Sequence, residues 1–191
     1  MKLGLYGGSF DPIHLGHLLV AQAAIEELGL DKLFFIPAAR SPFKPENQPA
    51  PDAVRLQLLR LALAGKTNCD VDDQEIRRGG VSYTVDTLRD YAKKFPGARL
   101  FYLIGADNVS QLTNWREPDE LARLAEFAAI PRPGGSGTAE FPKPFRGQRL
   151  KGFPFGVSSS EIRARVKAGL PIEHLVPPFV ADAIRAAQLY I

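Results

Sequence analysis

Short apolar runs alternate with amphipathic segments along most of the chain. The apolar runs predict strands over Lys2–Tyr6, Lys32–Pro37, Cys69–Val71, Arg99–Gly105 and Glu126–Ile130. The segments between them predict helices from the end of the first loop to about Leu28 and over Asp52–Ala64, Thr84–Phe95 and Pro118–Ala125. Strands that alternate with helices are typical of a parallel sheet with helices on both of its faces.

Two segments show the pattern most clearly. The run Leu100–Ile104 is continuously apolar, as expected of a central strand that is buried on both faces. The segment Thr84–Phe95 instead repeats its apolar residues at helical spacing, which is typical of a helix that buries one stripe. We therefore predict an α/β fold with a doubly wound, Rossmann-like, mostly parallel sheet.

The C-terminal third is less regular. Residues 131–149 are rich in Gly, Pro and Lys and predict a loop. A short strand is predicted over Leu150–Gly156, followed by helices over Ser158–Ala168 and about Pro178–Gln188 in the segment 158–191. The length of 191 residues fits a single domain that spans residues 1–191.

Composition narrows the class of protein. Hydrophobic residues make up 45% and charged residues 24% of the chain, and no apolar run approaches the roughly 18 residues of a membrane span. The N-terminus lacks the apolar core of a signal peptide, so we expect a soluble, cytoplasmic protein without a membrane partner. The single cysteine, Cys69, excludes an intrachain disulfide and a thiolate metal cluster.

The charge favours an anionic ligand without pointing to nucleic acid. The net charge is +3, and the clearest basic segment, Lys143–Lys151, has no accompanying stripe of aromatic and basic residues. We interpret its residues Lys143, Arg146, Arg149 and Lys151 as a solvated loop and expect no nucleic-acid partner.

The first predicted strand ends in a glycine-rich segment, Gly7–Pro12, that opens into a helix. Doubly wound sheets bind ligands at the carboxyl ends of their strands. Adjacent glycines let the main chain approach a phosphate, and the helix that follows presents unpaired N–H groups. Neither GxGxxG nor GxxxxGK followed by Ser or Thr occurs in the chain, so this segment predicts an anion site of another kind.

Two histidines frame a glycine just after this segment. His14 and His17 lie three residues apart on one face of the predicted helix start, and Gly16 removes side-chain bulk between them. Capping or packing would explain a single histidine, and a zinc pair would more commonly have i, i+4 spacing and a third ligand nearby. We interpret the pair as functional.

The whole segment GGSFDPIHLGH resembles the signature of the HxGH nucleotidyltransferase superfamily, whose members transfer a nucleotidyl group from ATP or CTP to a phosphate. The resemblance implies a single nucleotidyltransferase domain. It also implies that ATP is contacted by Gly7, Gly8, Ser9, Phe10, His14, Gly16 and His17. This motif does not specify the acceptor substrate.

A second motif lies near the C-terminus. The segment Ser158–Arg163, SSSEIR, is similar to the SSTxIR motif of nucleotide adenylyltransferases, with Ser160 where Thr is common. Its spacing also predicts a capping box between Ser158 and Glu161, which would leave the hydroxyls of Ser159 and Ser160 facing outward. With Arg163 one turn further on, this helix start predicts a second anion site for the β- and γ-phosphates of ATP and for departing pyrophosphate.

Two internal segments resemble those of nicotinate-nucleotide adenylyltransferases. The stretch Glu75–Thr84 matches ExxRxGxSYT, and the segment Leu103–Asp107 with Trp115 matches IGAD…W. The resemblance implies that Ser82, Tyr83 and Thr84 receive the nicotinate carboxylate and that Gly105 and Asp107 contact the adenosine. Trp115 would stack on the pyridine ring. Read without the family, Thr84 is a helix N-cap and Trp115 a packing residue.

The acceptor loop departs from the family pattern. The segment Pro37–Lys44 resembles a family segment that ends Pro-His-Lys, but Phe43 replaces the histidine here. Lys44 is retained, and we expect it to pair with the phosphate of the mononucleotide together with Ser9. Arg132, in an Arg-Pro-Gly sequence after the fifth predicted strand, is a further expected substrate contact.

The resemblance covers about Lys2 to Arg163 and implies an enzyme that joins ATP and nicotinate mononucleotide into nicotinate adenine dinucleotide and pyrophosphate, in NAD biosynthesis. His14, His17, Lys44 and Arg163 would be the catalytic residues. Mg²⁺ would accompany ATP, bound mainly by phosphate oxygens and water, with no protein ligand assigned.

Several alternatives stay open. The acceptor of the same chemistry could be nicotinamide mononucleotide or phosphopantetheine. A nucleotide-binding module without transfer activity is an alternative of another class, although binding alone would not need all four catalytic groups. The pattern is also compatible with a homo-oligomer.

Overall fold

A six-stranded parallel sheet forms the centre of the computed structural model, which describes residues 1–42, 49–131, 140–153 and 155–191. Its strands are β1 Lys2–Gly8, β2 Lys32–Pro37, β3 Cys69–Val71, β4 Arg99–Gly105, β5 Glu126–Ile130 and β6 Gly147–Arg149. They lie in the order β3-β2-β1-β4-β5-β6, with parallel pairing throughout. From β1 the chain adds β2 and β3 on one side of the sheet, and it then returns to add β4, β5 and β6 on the other side. This change of side between β1 and β4 confirms the predicted doubly wound fold.

The helices follow the predicted alternation. They are α1 Leu15–Leu28, α2 Asp52–Leu63, α3 Gln74–Arg78, α4 Thr84–Lys94, α5 Pro118–Leu124, α6 Ser159–Lys167 and α7 Pro178–Ala186, with a 3₁₀ helix over Ala106–Asn114. The sequence pattern missed α3 and the 3₁₀ helix, because neither repeats its apolar residues over enough turns to show an α-helical period. Among the described residues, no helix is long and apolar enough to cross a membrane.

The sheet separates two apolar layers, and β4 supplies both. Phe101 and Leu103 pack into the layer of α1, α2, α6 and α7, whereas Leu100, Tyr102 and Ile104 pack into the layer of α4, α5 and the 3₁₀ helix. All five side chains are buried. Alternate residues of a strand point to opposite faces, so a central strand needs the continuous apolar run that predicted it.

The last strand lies earlier in the chain than predicted. The sequence placed it over Leu150–Gly156, but β6 spans Gly147–Arg149, within the segment predicted as a loop. Leu150 is buried as its apolar character suggests, but the chain then leaves the sheet: the Glu27 carboxylate accepts hydrogen bonds from the N–H groups of Lys151 and Gly152 at 2.8 and 2.9 Å. These bonds replace the strand pairing that the apolar pattern suggested.

A buried arginine on α2 joins the loops at the carboxyl ends of β1 and β2. The Arg55 side chain is 0% exposed and donates hydrogen bonds to the carbonyl groups of Ser9 at 2.8 Å, Ala38 at 2.8 Å and Ala50 at 3.1 Å. It also pairs with the Asp52 carboxylate. Because a buried guanidinium is stable only when its donors are satisfied, these contacts fix the relative positions of the two loops and the start of α2.

We predict that Arg55→Met lowers the free energy of unfolding by about 3 kcal/mol or more, because three main-chain carbonyl groups lose their donor. Urea denaturation followed by circular dichroism measures this change. Arg60→Met, at an exposed position of the same helix, is the matched control and should change stability by less than about 0.5 kcal/mol. A loss below about 1 kcal/mol in Arg55→Met would contradict the role of Arg55 as the joint between the loops.

Candidate active site

The loop between β1 and α1 holds a tight and strained conformation. Phe10 has a φ of 46°, in the left-handed region that non-glycine residues rarely adopt. Its ring is buried against Tyr6, Phe35 and His17 at centroid distances of 5.4, 5.5 and 5.0 Å. This packing offsets a backbone cost of about 1 kcal/mol or more and holds the loop in one conformation.

A glycine is required at the end of β1. A Cβ atom at Gly7 would lie 2.3 Å from the hydroxyl oxygen of Tyr102, closer than two such atoms approach. Tyr102 belongs to β4, the strand next to β1 at the point where the strand order reverses. The glycine therefore lets a hydroxyl from β4 lie directly beneath the loop.

His14 and His17 cap the start of α1 for each other. The Nδ1 atom of His14 accepts from the N–H of His17 at 3.3 Å, and the Nδ1 atom of His17 accepts from the N–H of His14 at 3.2 Å. The two rings stack with centroids 3.7 Å apart. A Cβ atom at Gly16 would lie 3.0 Å from the His14 ring, which explains the glycine between the histidines. The capping interpretation is correct, and the role of the pair as phosphate ligands stays a prediction.

The caps determine the protonation of both rings. An Nδ1 atom that accepts a hydrogen bond carries no proton, so each neutral ring carries its proton on Nε2. Burial lowers the pKa of His14 from 6.5 to about 4. Burial, with a smaller effect of the neighbouring His14, also holds the pKa of His17 well below its usual value. Both imidazoles are therefore neutral hydrogen-bond donors at neutral pH.

The start of α6 packs directly onto the same loop. Ser158 caps this helix, with its hydroxyl accepting from the N–H of Glu161 at 3.2 Å, which is the serine half of the predicted capping box. The Ser159 hydroxyl donates to the carbonyl of Pro12 at 2.9 Å, so it does not face outward as the sequence suggested. Its bond joins the start of α6 to the loop before α1, across 147 residues of sequence.

Arg163 contacts this loop as well. Its Nη1 atom donates to the carbonyl of Asp11 at 2.6 Å and lies 3.6 Å from that residue's carboxylate, while Nη2 donates to the Ser160 hydroxyl at 3.2 Å. The Asp11 carboxylate, which is 3% exposed, also accepts from the hydroxyl of Tyr190 at 2.7 Å and from the N–H of Ala50 at 3.2 Å. The structure thus brings both predicted anion sites together.

The end of β4 lies at the same edge of the sheet. Gly105 is the last residue of this strand, and Asp107 is exposed in the first turn of the 3₁₀ helix that follows. Because β4 neighbours β1, both residues lie next to the glycine-rich loop at the topological switch point. Their predicted contact with adenosine stays a prediction.

The segment predicted to hold the acceptor is joined to the loop after β2. The Ser82 hydroxyl accepts from the N–H of Ala39 at 3.0 Å, and the N–H of Ser82 donates to the carbonyl of Arg40 at 2.9 Å. The buried Glu75 carboxylate bonds the hydroxyl of Thr87 at 2.6 Å and that of Ser82. Burial raises the pKa of Glu75. Glu75 therefore holds the start of α4 against the loop after β2.

Thr84 and Trp115 meet at Tyr102. The Thr84 hydroxyl lies 3.4 Å from the Tyr102 hydroxyl, and the half-buried Trp115 ring packs edge-on against Tyr102 and Phe127 with centroids 6.4 Å away. The prediction of Thr84 as the N-cap of α4 is wrong by one residue: Tyr83 occupies the cap, and Thr84 is the first helical residue. Its hydroxyl is directed to the sheet instead of the helix.

Two predicted site residues lie outside the described part of the chain. Lys44, with Phe43 before it, falls in residues 43–48, and Arg132 falls in residues 132–139. In the described part, no group of three or more histidine, cysteine or acidic residues could hold a metal ion.

Sequence reasoning missed several residues that hold the site together, namely Arg55, Glu75, Asp11 and Tyr190. Asp11 and Glu75 lie within the recognised motifs. A carboxylate in such a segment is unexpected, and this could have indicated their role. Arg55 and Tyr190 occupy ordinary positions of a helix and of the C-terminal segment, where no local pattern marks them. Their partners are set by tertiary contacts over 46 and 179 residues of sequence.

The glycine-rich loop, the capped helix starts and the strand order define a nucleotide-binding protein of the doubly wound class. Comparison with known families agrees, because residues 5–165 match the model described as cytidylyltransferase-like.

Proteins of similar sequence identify the family more closely. The chain is 41% identical to a protein of Opitutus terrae named a probable nicotinate-nucleotide adenylyltransferase, over 100% of this chain and 98% of that protein. A Thermus thermophilus protein of the same name is 40% identical over 100% and 96% of the two chains. The chain therefore belongs to the cytidylyltransferase-like family and, within it, to the nicotinate-nucleotide adenylyltransferases.

Solved structures agree on the fold. The structure of the Plasmodium falciparum nicotinic acid mononucleotide adenylyltransferase complexed with NaAD superposes with a TM-score of 0.79. It covers 99% of this chain and 97% of its own, at 21% sequence identity. At this identity the likeness establishes the shared architecture.

We predict that His14 and His17 are neutral Nε2–H tautomers at pH 6, because both Nδ1 atoms accept main-chain hydrogen bonds. Long-range ¹H–¹⁵N spectra of protein labelled on histidine measure the tautomer directly. Because the pKa of His14 is lower in the folded chain than in the unfolded chain, stability should fall as the pH drops from about 6.5 towards 4. Protonated Nδ1 atoms at pH 6 would contradict the reciprocal cap.

Proposed function

We propose that this chain transfers the adenylyl group of ATP to nicotinate mononucleotide, as an enzyme of NAD biosynthesis. A phosphate oxygen of the mononucleotide attacks the α-phosphorus of ATP and forms the new P–O bond. The bond between the α-phosphorus and the bridging oxygen breaks, and pyrophosphate leaves with the electron pair. The products are nicotinate adenine dinucleotide and pyrophosphate.

The reciprocal cap of His14 and His17 is the observation that carries this proposal. A helix cap needs one hydrogen-bonding atom of each ring, so the Nε2–H group of each remains for another acceptor. Two neutral donors at a helix start suit a phosphate group, and they add to the partial positive charge of that helix end. In the reaction they would stabilise the charge that develops on the transferred phosphoryl group.

The start of α6 supports the handling of the leaving group. Arg163, Ser159 and Ser160 lie at this helix start, and bonds to Asp11 and Pro12 hold it against the glycine-rich loop. A guanidinium beside a second helix start would neutralise the charge that grows on pyrophosphate as it departs. Catalysis would then consist of positioning and charge stabilisation, since the reaction needs no covalent intermediate on the protein.

The nicotinate end would be received by Ser82, Tyr83, Thr84 and Trp115, with Gly105 and Asp107 on the adenosine side. The contacts through Tyr102 support this arrangement, because they join Thr84 and Trp115 to the floor of the glycine-rich loop. The assignment of Lys44 and Ser9 to the attacking phosphate and of Arg132 to the substrate comes from the motifs.

A cation near the start of α4 would favour the acid over the amide. The guanidinium carbon of Arg116 lies 4.5 Å from the centroid of the Tyr83 ring, next to Trp115 in the chain. The first N–H groups of α4 add partial positive charge at Thr84. Both features would attract the carboxylate of nicotinate and give no such advantage to the neutral amide of nicotinamide.

A divalent cation, which we propose to be Mg²⁺, would enter with ATP. It would be held mainly by phosphate oxygens and water. When bound, it would neutralise charge on the phosphates.

We predict that the protein releases pyrophosphate from ATP in the presence of Mg²⁺ when nicotinate mononucleotide is supplied. With nicotinamide mononucleotide, kcat/KM should be lower by at least about tenfold. Phosphopantetheine should give no release. A coupled pyrophosphate assay with each acceptor in turn makes the measurement. Release with phosphopantetheine alone would contradict the proposed acceptor, and ATP binding without release for any acceptor would favour a binding module.

A substitution can separate the two roles of His17. Asn retains an acceptor near the position of Nδ1 but lacks the Nε2–H donor, so His17→Asn should keep the cap and lose the phosphate contact. We predict a fall in kcat of about 100-fold or more with a change in unfolding free energy below about 1 kcal/mol.

The complementary variant is His17→Gln, which places a donor near the position of Nε2 and loses the acceptor that caps α1. It should retain more turnover than His17→Asn and less stability. Near-normal turnover in folded His17→Asn would show that the Nε2–H group takes no part in catalysis.

A further inference from the structure

We propose that Tyr190, at the end of the chain, is a positioning residue for Arg163. Its hydroxyl occupies one oxygen of the Asp11 carboxylate, and this keeps Arg163 available to the triphosphate of ATP. The proposal rests on the proposed function in that it takes Arg163 as a ligand of the phosphates.

The contacts around Asp11 divide its carboxylate into two halves. Oδ1 accepts from the Tyr190 hydroxyl at 2.7 Å and from the N–H of Ala50 at 3.2 Å. Oδ2 faces Arg163, whose Nη1 atom lies 3.6 Å away. That separation exceeds a hydrogen bond, and Nη1 bonds the main-chain carbonyl of Asp11 at 2.6 Å instead.

This arrangement is unusual for a buried carboxylate beside an arginine. Such pairs commonly form two parallel hydrogen bonds, one to each carboxylate oxygen. Here Oδ1 already has two donors, so the Arg163 fork does not engage both oxygens. A bidentate pair with Asp11 would neutralise the charge of Arg163 and leave it fewer N–H donors for a phosphate. The hydrogen bond from Tyr190 to Oδ1 prevents this pair.

The backbone of the C-terminal turn is strained where it delivers this hydroxyl. Gln188 and Tyr190 have φ values of 48° and 66°, both in the left-handed region. Each such residue costs about 1 kcal/mol or more unless surrounding contacts hold it. Leu189 and Tyr190 pack against the core layer of α1, α2, α6 and α7, which offsets part of this cost. Strain at a residue that contacts the glycine-rich loop indicates a role in the candidate active site.

The Tyr190 hydroxyl is suited to this role as a donor. Burial and the bond to Asp11 raise its pKa, so the hydroxyl carries its proton at neutral pH. A permanent donor can hold the carboxylate in one orientation while the opposite oxygen faces a cation.

A purely stabilising contact, here called a latch, would explain the same hydrogen bond. The stabilising role and the positioning role predict different results. A latch affects stability alone. A positioning role affects ATP affinity, and it does so only while Asp11 carries a negative charge that competes for Arg163.

The test is a double-mutant cycle with Tyr190→Phe and Asp11→Asn. Dissociation constants are measured by calorimetry with an ATP analogue whose α,β-bridge is a methylene group, and KM for ATP is measured by pyrophosphate release. We expect Tyr190→Phe to weaken analogue binding and raise KM by roughly five- to tenfold. It should lower kcat as well, because an Arg163 side chain paired with Asp11 would also be withdrawn from departing pyrophosphate. In the Asp11→Asn background, Tyr190→Phe should change affinity by less than about twofold.

The matched control is Tyr91→Phe. The Tyr91 hydroxyl also donates to an aspartate, Asp72, at 2.7 Å, but it lies in the other core layer. This variant should lose a similar amount of unfolding free energy and bind the analogue within about twofold of the unsubstituted chain. A crystal structure of Tyr190→Phe should place Arg163 within hydrogen-bond distance of both oxygens of Asp11, which tests the cause independently of affinity.

The proposal is overturned if Tyr190→Phe binds the analogue as tightly as the unsubstituted chain, or if it weakens binding equally with and without the charge of Asp11. It is also overturned if Arg163 stays in place in the variant structure. Failure of the proposed function would be seen separately, as an absence of pyrophosphate release by the unsubstituted chain, and analogue binding would still test the role of Tyr190.

Discussion

The loop after β1 depends on hydrogen bonds that its own backbone does not supply. Its carbonyl groups at Ser9, Asp11 and Pro12 accept from Arg55, Arg163 and Ser159, side chains of α2 and α6. A loop at the end of a buried strand has main-chain groups that neither a helix nor a sheet satisfies, and an unpaired buried group is costly. These side chains meet that requirement and at the same time bring the starts of two helices to one point.

The same site contains two kinds of hydrogen-bond donor, neutral imidazoles and a guanidinium. His14 and His17 are buried and capped, so they are neutral and donate hydrogen bonds without adding net charge. Arg163 is charged, and one oxygen of the neighbouring Asp11 carboxylate already accepts a hydrogen bond from Tyr190. In the proposed reaction, neutral donors would face the transferred group and a charged side chain the leaving group, which suits a movement of negative charge towards pyrophosphate.

Chemistry and acceptor choice rest on different parts of the fold. The glycine-rich loop and the start of α6 would handle a triphosphate for any acceptor. The choice of nicotinate mononucleotide would depend on the start of α4 and on Trp115, which are joined to the loop through Tyr102 and through Ser82. The Tyr102 hydroxyl lies under Gly7 and beside Thr84, so the two halves of the site share one rigid support.

The sequence by itself determined the strand and helix alternation, the parallel fold and the motifs at the strand ends. Those features are local: a period of apolar residues, a glycine pair, or a serine three residues before a glutamate. Its errors also had local causes, as where the apolar run after Arg149 suggested a strand although Glu27 draws that segment away from the sheet.

Only the tertiary structure decided how the motifs are held together. Arg55 and Tyr190 act through partners 46 and 179 residues away in sequence, and nothing in their own neighbourhoods marks them. The direction of the Ser159 hydroxyl and the tautomers of the histidines were likewise set by the packing of α6 and by the cap of α1. A hydrogen bond depends on where the chain brings its two atoms, and a sequence pattern specifies that position only within one element of secondary structure.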